Sequence, residues 1–318
     1  GLSLRPRASP WAARRFRSFA LRPNMMRRSL LLGATGAALL VLPAQAQLLI
    51  GTSNYTTGEH YHVDLATGTA TPMLANWVNP FGAGATDIVG MTADDANCTL
   101  YIAQTNGNGS YIYSWSYNDP AGPVLIITDP IDMATGGTLR SEGIAFANGQ
   151  LYVIDEFGGG GALEGIYSVD IATGNATLEH AFLNAAGINI GGLSYNAANG
   201  LFYGTDDDTF NLISFDIATG IEAIAGPYPA GVADIDACVI DDTGTTAYLV
   251  EDNASSLHAL DLATGTYSTT PVASPVVNPW TFSATAWAPN FDPGGGVCGG
   301  SIGTNYCGPG VANSTGSS

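Results

Sequence analysis

Short stretches of the chain alternate apolar and polar side chains with a period of two. Around residue 168, Ile166, Ser168 and Asp170 stand against Tyr167 and Val169, which is the pattern of a half-buried strand. The alternation stops at a repeated word. DIATG occurs at Asp170–Gly174 and Asp216–Gly220, and DLATG at Asp64–Gly68 and Asp261–Gly265. Asp accepts hydrogen bonds from the backbone of a turn, Thr does so more weakly, and Gly supplies a positive φ without a Cβ penalty. Each copy is therefore predicted to join two strands of a hairpin.

The text before each copy repeats too. Glu142–Glu156, Gly191–Asp207 and Asp236–Asp252 each read as strand, Asn/Asp-Gly-type turn, strand. Val89–Thr105 has the same form, and the segment after it, SYIYSWSYNDPAG, carries Ser116 where the word's Asp is expected, with Asp119-Pro120 as its turn. Each unit is four strands with a period of 45–54 residues. Four-stranded repeats of that period predict β-propeller blades. The first unit lacks its leading strand, and FSATAWAPN at Phe282–Asn290 supplies it. The expected fold is all-β: a five-bladed propeller over residues 47–293, closed by pairing of the strand near Trp287 with the one near Leu49.

The ends read differently. Residues 1–24 are Arg-rich and acid-free, an upstream segment without a hydrophobic period. Residues 25–46 follow signal-peptide grammar: Arg27-Arg28, an apolar run Leu30–Leu42, then Ala44-Gln45-Ala46. Export to the surface, the exterior or the periplasm is expected, with no membrane insertion after cleavage. Residues 294–318 begin as a Gly-rich linker, in which Cys298 and Cys307 are expected to close a short disulfide loop. Cys98 and Cys238 have no legible partner, and each reads as a small buried residue.

Beyond residue 46 the chain carries all 27 acids against Arg140 alone, a net −26. A nucleic-acid partner is excluded, because nothing is available to neutralise phosphates. Attraction to anionic membranes is excluded for the same reason. No lysine is present and no Ser/His/Asp set, nucleophile elbow, C-x-x-C or phosphate loop can be assembled.

In a propeller the loops after the second strand and those between blades open on one end of the ring. These loops carry Asp155-Glu156, Asp206-Asp207-Asp208, Glu251-Asp252, Asp132, Glu142 and Asp234. Crowded carboxylates repel unless a cation neutralises them, and an all-oxygen set suits Ca²⁺. The competing reading is that these are turn residues of a chain that is acidic everywhere. Arg140 is expected either to clamp a ligand's carboxylate or to pair with Glu142. Trp77, Phe81, Tyr228 and Trp280 in the inter-blade loops either stack on sugar rings or pack between blades. His60 and His62 share one strand face and read as strand positions rather than metal ligands.

The recurring G(I/L)AF…NG.LYV.D…IY.VD..TG pattern resembles the YncE-like, NHL and gluconolactonase-type propellers. In gluconolactonase-like enzymes a Glu in an EGP-type segment is a metal ligand. SEGIAF offers Glu142 and Gly143, with Ile144 in place of the Pro. The resemblance implies Glu142 as a metal ligand, and a lactonase or other hydrolase would use it together with Asp206 and Glu251. The tail IGTNYCGP…NSTG is similar to the start of a C-terminal domain of exported planctomycete and gammaproteobacterial proteins. Three classes result. The first is a non-enzymatic binding module, with calcium as its candidate cofactor and a protein, glycan or small-molecule ligand at the mouth. The others are a calcium-dependent lactonase and a lectin-like sugar binder.

Overall fold

The computed structural model describes residues 48–52, 60–73, 87–106, 109–117, 119, 121–156, 158, 161–183, 189–251, 256–272 and 282–291. The strands β1 (Leu48–Thr52), β2 (His60–Asp64) and β3 (Thr69–Pro72) open the fold. The second group is β4 (Asp87–Asp94), β5 (Thr99–Asn106), β6 (Gly109–Ser116) and β7 (Val124–Thr128). Then come β8 (Ile131–Asp132), β9 (Ser141–Ala147), β10 (Gln150–Asp155), β11 (Gly165–Val169) and β12 (Asn175–Ala181). Next are β13 (Ile190–Asn196), β14 (Leu201–Asp206), β15 (Asn211–Asp216) and β16 (Ile221–Pro227). The last are β17 (Ile235–Ile240), β18 (Thr246–Glu251), β19 (Ser256–Asp261), β20 (Thr266–Pro271) and β21 (Phe282–Trp287).

These strands form five sheets, of which the first has the order β21-β1-β2-β3. Leu48 pairs with Trp287 and Leu49 with Ala286, so the closure expected from the sequence is made. The innermost strands β21, β4, β9, β13 and β17 each touch the next, and β17 returns to β21. The fold is a five-bladed β-propeller.

Burial follows from that ring. Both faces of each blade are covered by neighbours, so the strands carry apolar residues on both faces, and the described core divides into five clusters, one per blade interface. One joins Leu48, Tyr61 and Phe282 of blade 1 to Val239, Val250 and Leu257 of blade 5. The others join blades 1 and 2, 2 and 3, 3 and 4, and 4 and 5. Hydroxyls on the inner strands add polar ties between blades: Thr92 Oγ1 accepts from Phe146 N at 2.9 Å, and Ser194 Oγ from Ile240 N at 2.9 Å.

The repeated word folds as expected. Gly68, Gly174, Gly220 and Gly265 have φ between 69° and 74°, and each donates its N–H to the Asp carbonyl four residues before, at 2.7–2.8 Å. A fifth copy, DMATG at Asp132–Gly136, is not legible from the blade period, because it lies between blades 2 and 3. It forms the same turn: Gly136 N reaches Asp132 O at 2.7 Å, and Ala134 N reaches Asp132 Oδ1 at 3.0 Å. Its strand β8 adds a fifth, parallel member to the outer edge of blade 3. Asp132, expected at the mouth, is instead buried and committed to its own turn.

Cys98 is disulfide-bonded, which corrects its reading as a plain buried residue. Cys238 is a free buried thiol, its ionisation pushed up to about 12 by burial. Residues 1–46, expected to be an upstream segment and a signal peptide, and the tail 294–318 with Cys298 and Cys307 lie outside the described residues, as do Trp77, Phe81, Asp252 and Trp280.

Candidate functional site

Every blade carries the same irregularity. Near the start of the inner strand the register to the second strand slips, at Ile88/Gly90, Ser141/Gly143, Ile190/Leu193, Ile235/Ala237 and Phe282/Ala284. A bulge leaves the extra residue out of the ladder and re-aims it. Glu142 and Asp236 are the bulged residues of blades 3 and 5. Antiparallel order puts the β14–β15 turn and the connections between blades at this same end of the ring, and with them Asp206–Asp208 and Asp234.

At the junction of blades 4 and 5 three carboxylates converge. Asp207, Asp234 and Asp236 each bring one oxygen within 4.8 Å of the other two. Asp207 is held in place: its Oδ1 accepts from Tyr228 Oη at 3.0 Å and from Ile235 N at 3.1 Å, and its own N–H donates to Asn189 O at 3.0 Å. Burial pushes its carboxyl up to about 6, the two donors oppose the rise, and Asp234 and Asp206 add to it. A bound divalent cation would reverse that effect and fix Asp234, which is exposed.

A second cluster spans blades 3 and 4. Arg140 Nε pairs with Glu142 Oε1 at 3.3 Å, the ordinary one of its two expected outcomes. Glu156 is pushed up to about 8, first by burial, then by Glu142, with Asp207 and Asp208 adding and Arg140 opposing. Oriented with its nitrogen as donor, the Asn189 amide reaches Glu156 Oε1 at 2.8 Å and Oε2 at 3.3 Å. That contact favours the charged form and offsets part of the rise. Asn189 N also donates to Asp206 Oδ1 at 3.3 Å. One residue thus ties the loop after β10 to the loop after β14.

Other expected ligands do not join either cluster. Asp155 is fully buried and accepts from Gly158 N at 3.2 Å. Asp206 organises its own turn, accepting from Thr209 Oγ1 and, at 3.2 Å, from Asp208 N. Glu251 Oε2 meets His258 Nε2 at 3.0 Å. Tyr228 is 6% exposed, so its ring offers no face on which a sugar could stack. Asp236 is absent from the ligands expected from the sequence. Its signal there is its place in the repeat, aligned with Glu142 as the second residue of an inner-strand segment.

No family model matches the sequence, and no curated protein matches it. Among solved structures the chain is similar to one in a nidogen/laminin complex, at 16% identity and a TM-score of 0.49, over 76% of this chain and 98% of that one. It is also similar to TolB from Acinetobacter baumannii, at 13% identity and 0.46, covering 73% of this chain and 54% of TolB. A candidate 6-phosphogluconolactonase from Bacteroides uniformis aligns at 15% and 0.40, over 71% and 66% respectively. The propeller assignment rests on the strand order and the five interface clusters.

Proposed function

We propose that this chain is an exported propeller that works as a binding module and holds calcium at its acidic end, through Asp207, Asp234 and Asp236. The convergence of these three carboxylates within 4.8 Å carries the reading. Asp207 is already oriented by two donors, so the ion meets one ligand held in place beforehand. Oxygen-only ligation suits Ca²⁺ better than a softer metal. Export rests on the grammar of residues 25–46, which also supplies the calcium-rich compartment. The kinship to YncE-like, NHL and gluconolactonase-type propellers is part of this proposal and stands on the repeat motif.

The hydrolase alternative needs Glu142, Asp206 and Glu251 on one metal. Glu142 pairs with Arg140, Asp206 with its own turn and Glu251 with His258, so the binding reading is the better supported. Calcium well above its dissociation constant should raise the melting temperature by about 5 °C or more, since hundredfold saturation is worth about 3 kcal/mol. Asp234→Asn with Asp236→Asn should abolish that shift. An unchanged melting temperature at millimolar calcium would sink the proposal.

A further inference from the structure

The opposite end of the ring, where the first and second strands of each blade turn, carries a feature no acidic-mouth reading uses. At two blade junctions an aromatic residue of one inner strand stacks on a tyrosine of the second strand of the preceding blade, and at a third junction two residues so placed each pack on one phenylalanine. Phe146 stacks on Tyr101, with ring centroids 5.5 Å apart and planes at 25°. Trp287 stacks on Tyr248 at 5.3 Å and 13°. Tyr195 and Tyr152 meet around Phe202, at 5.0 and 4.8 Å. All but Tyr101 and Phe202 are partly exposed.

Burial, and after it a nearby carboxylate, disfavours ionisation of each of the three tyrosines: Asp94 for Tyr101, Glu179 for Tyr152, and Asp241 with Asp242 for Tyr248. Asp94 is buried and occupied by Asn97, so it offers nothing to a partner, whereas Glu179 and Asp242 are exposed. An aromatic face next to a carboxylate is the environment that a planar cation prefers, because ring quadrupole and charge act together. Among the described residues no lysine or arginine lies there. The chain's single arginine beyond residue 46 is paired at the other end.

We propose that this end of the ring docks an arginine-bearing segment of a partner protein, with a guanidinium lying on the Trp287–Tyr248 step and against Asp242. Charge complementarity selects the partner: a surface with acids and, among the described residues, no lysine or arginine favours a cationic segment over an acidic or neutral one. Arginine rather than lysine follows from the flat Trp287–Tyr248 stack, with its planes at 13°, which matches a planar guanidinium and not a compact ammonium. The proposal rests on reading the molecule as a binding module, but it does not depend on calcium, which the opposite end would hold.

The test is fluorescence anisotropy with labelled oligoarginine and oligolysine peptides of equal length, at near-physiological salt, with and without calcium. Oligoarginine should bind about tenfold more tightly than oligolysine. Trp287→Leu should remove that preference, and Asp242→Asn should weaken both peptides about threefold. Because Trp287 lies on the closing strand, Tyr248→Leu, with its fold checked by circular dichroism, serves as the second variant. Equal affinity for the two peptides, binding of neither, a preference retained in both variants, or displacement of the peptide by a neutral oligosaccharide would overturn the proposal. A peptide failure with an intact calcium shift would leave the acidic-end reading standing, and the converse holds.

Discussion

Gly192→Ala is expected to cost about 3 kcal/mol of stability, or to prevent folding. A Cβ at Gly192 would stand 2.7 Å from Ala237 Cα and Cys238 N, and one at Gly143 would stand 2.8 Å from Leu193 N. Gly90 is the same, 2.9 Å from Ile144 N. The obstacles are backbone atoms of the next inner strand, and a ring cannot relieve the overlap at one junction without opening another. Gly143→Ala should behave alike. Gly220→Ala is the control: at φ +72° its Cβ would meet nothing within 4 Å, so it costs about 1 kcal/mol of backbone strain alone. Urea unfolding measures all three. Equal losses at Gly192 and Gly220 would mean that the inner strands are not in backbone contact.

The second large effect is on pH dependence. Glu156 is pushed up to about 8, chiefly by burial and by Glu142, against an unfolded value of about 4. The folded state therefore holds this proton more tightly. The associated stability is fully present below about pH 4 and is lost as pH rises through about 8. Asp207, raised to about 6, acts in the same direction over a lower window. Glu156→Gln keeps the shape and removes the charge. In calcium-free buffer it should match the parent below about pH 4 and exceed it by about 2 kcal/mol at about pH 9, a figure discounted for partial exposure and for the Asn189 donor. Urea unfolding at several pH values reads the difference. A variant whose stability falls with pH as steeply as the parent's would show that Glu156 is ionised in the fold at neutral pH.

The architecture is largely legible in the sequence, because a propeller repeats its local signals. The Asp-x-Ala-Thr-Gly turns, the second-strand hairpins and the orphan strand around Trp287 each point to the same ring. The extra strand β8 is not legible: its word, at Asp132, breaks the period and so reads as mouth chemistry. The site is legible only in part. Asp207 and Asp234 can be named from loop position, whereas Asp236 lies inside a strand and reaches the mouth only because a bulge displaces it. Glu251 misleads for the reverse reason. Its partner His258 comes from the neighbouring strand, and the composition of one loop does not reveal a cross-strand contact. Tyr228 looks like an exposed aromatic in a connection, but its hydroxyl has the half-buried Asp207 carboxylate to bond.

Isothermal titration calorimetry with calcium, on the protein stripped of metal, tests the central claim most directly. The account predicts one ion per chain for the parent, none for the protein carrying Asp234→Asn and Asp236→Asn, and an unchanged stoichiometry for Glu251→Gln. Binding that survives in the double variant, or that disappears with Glu251→Gln, would contradict it.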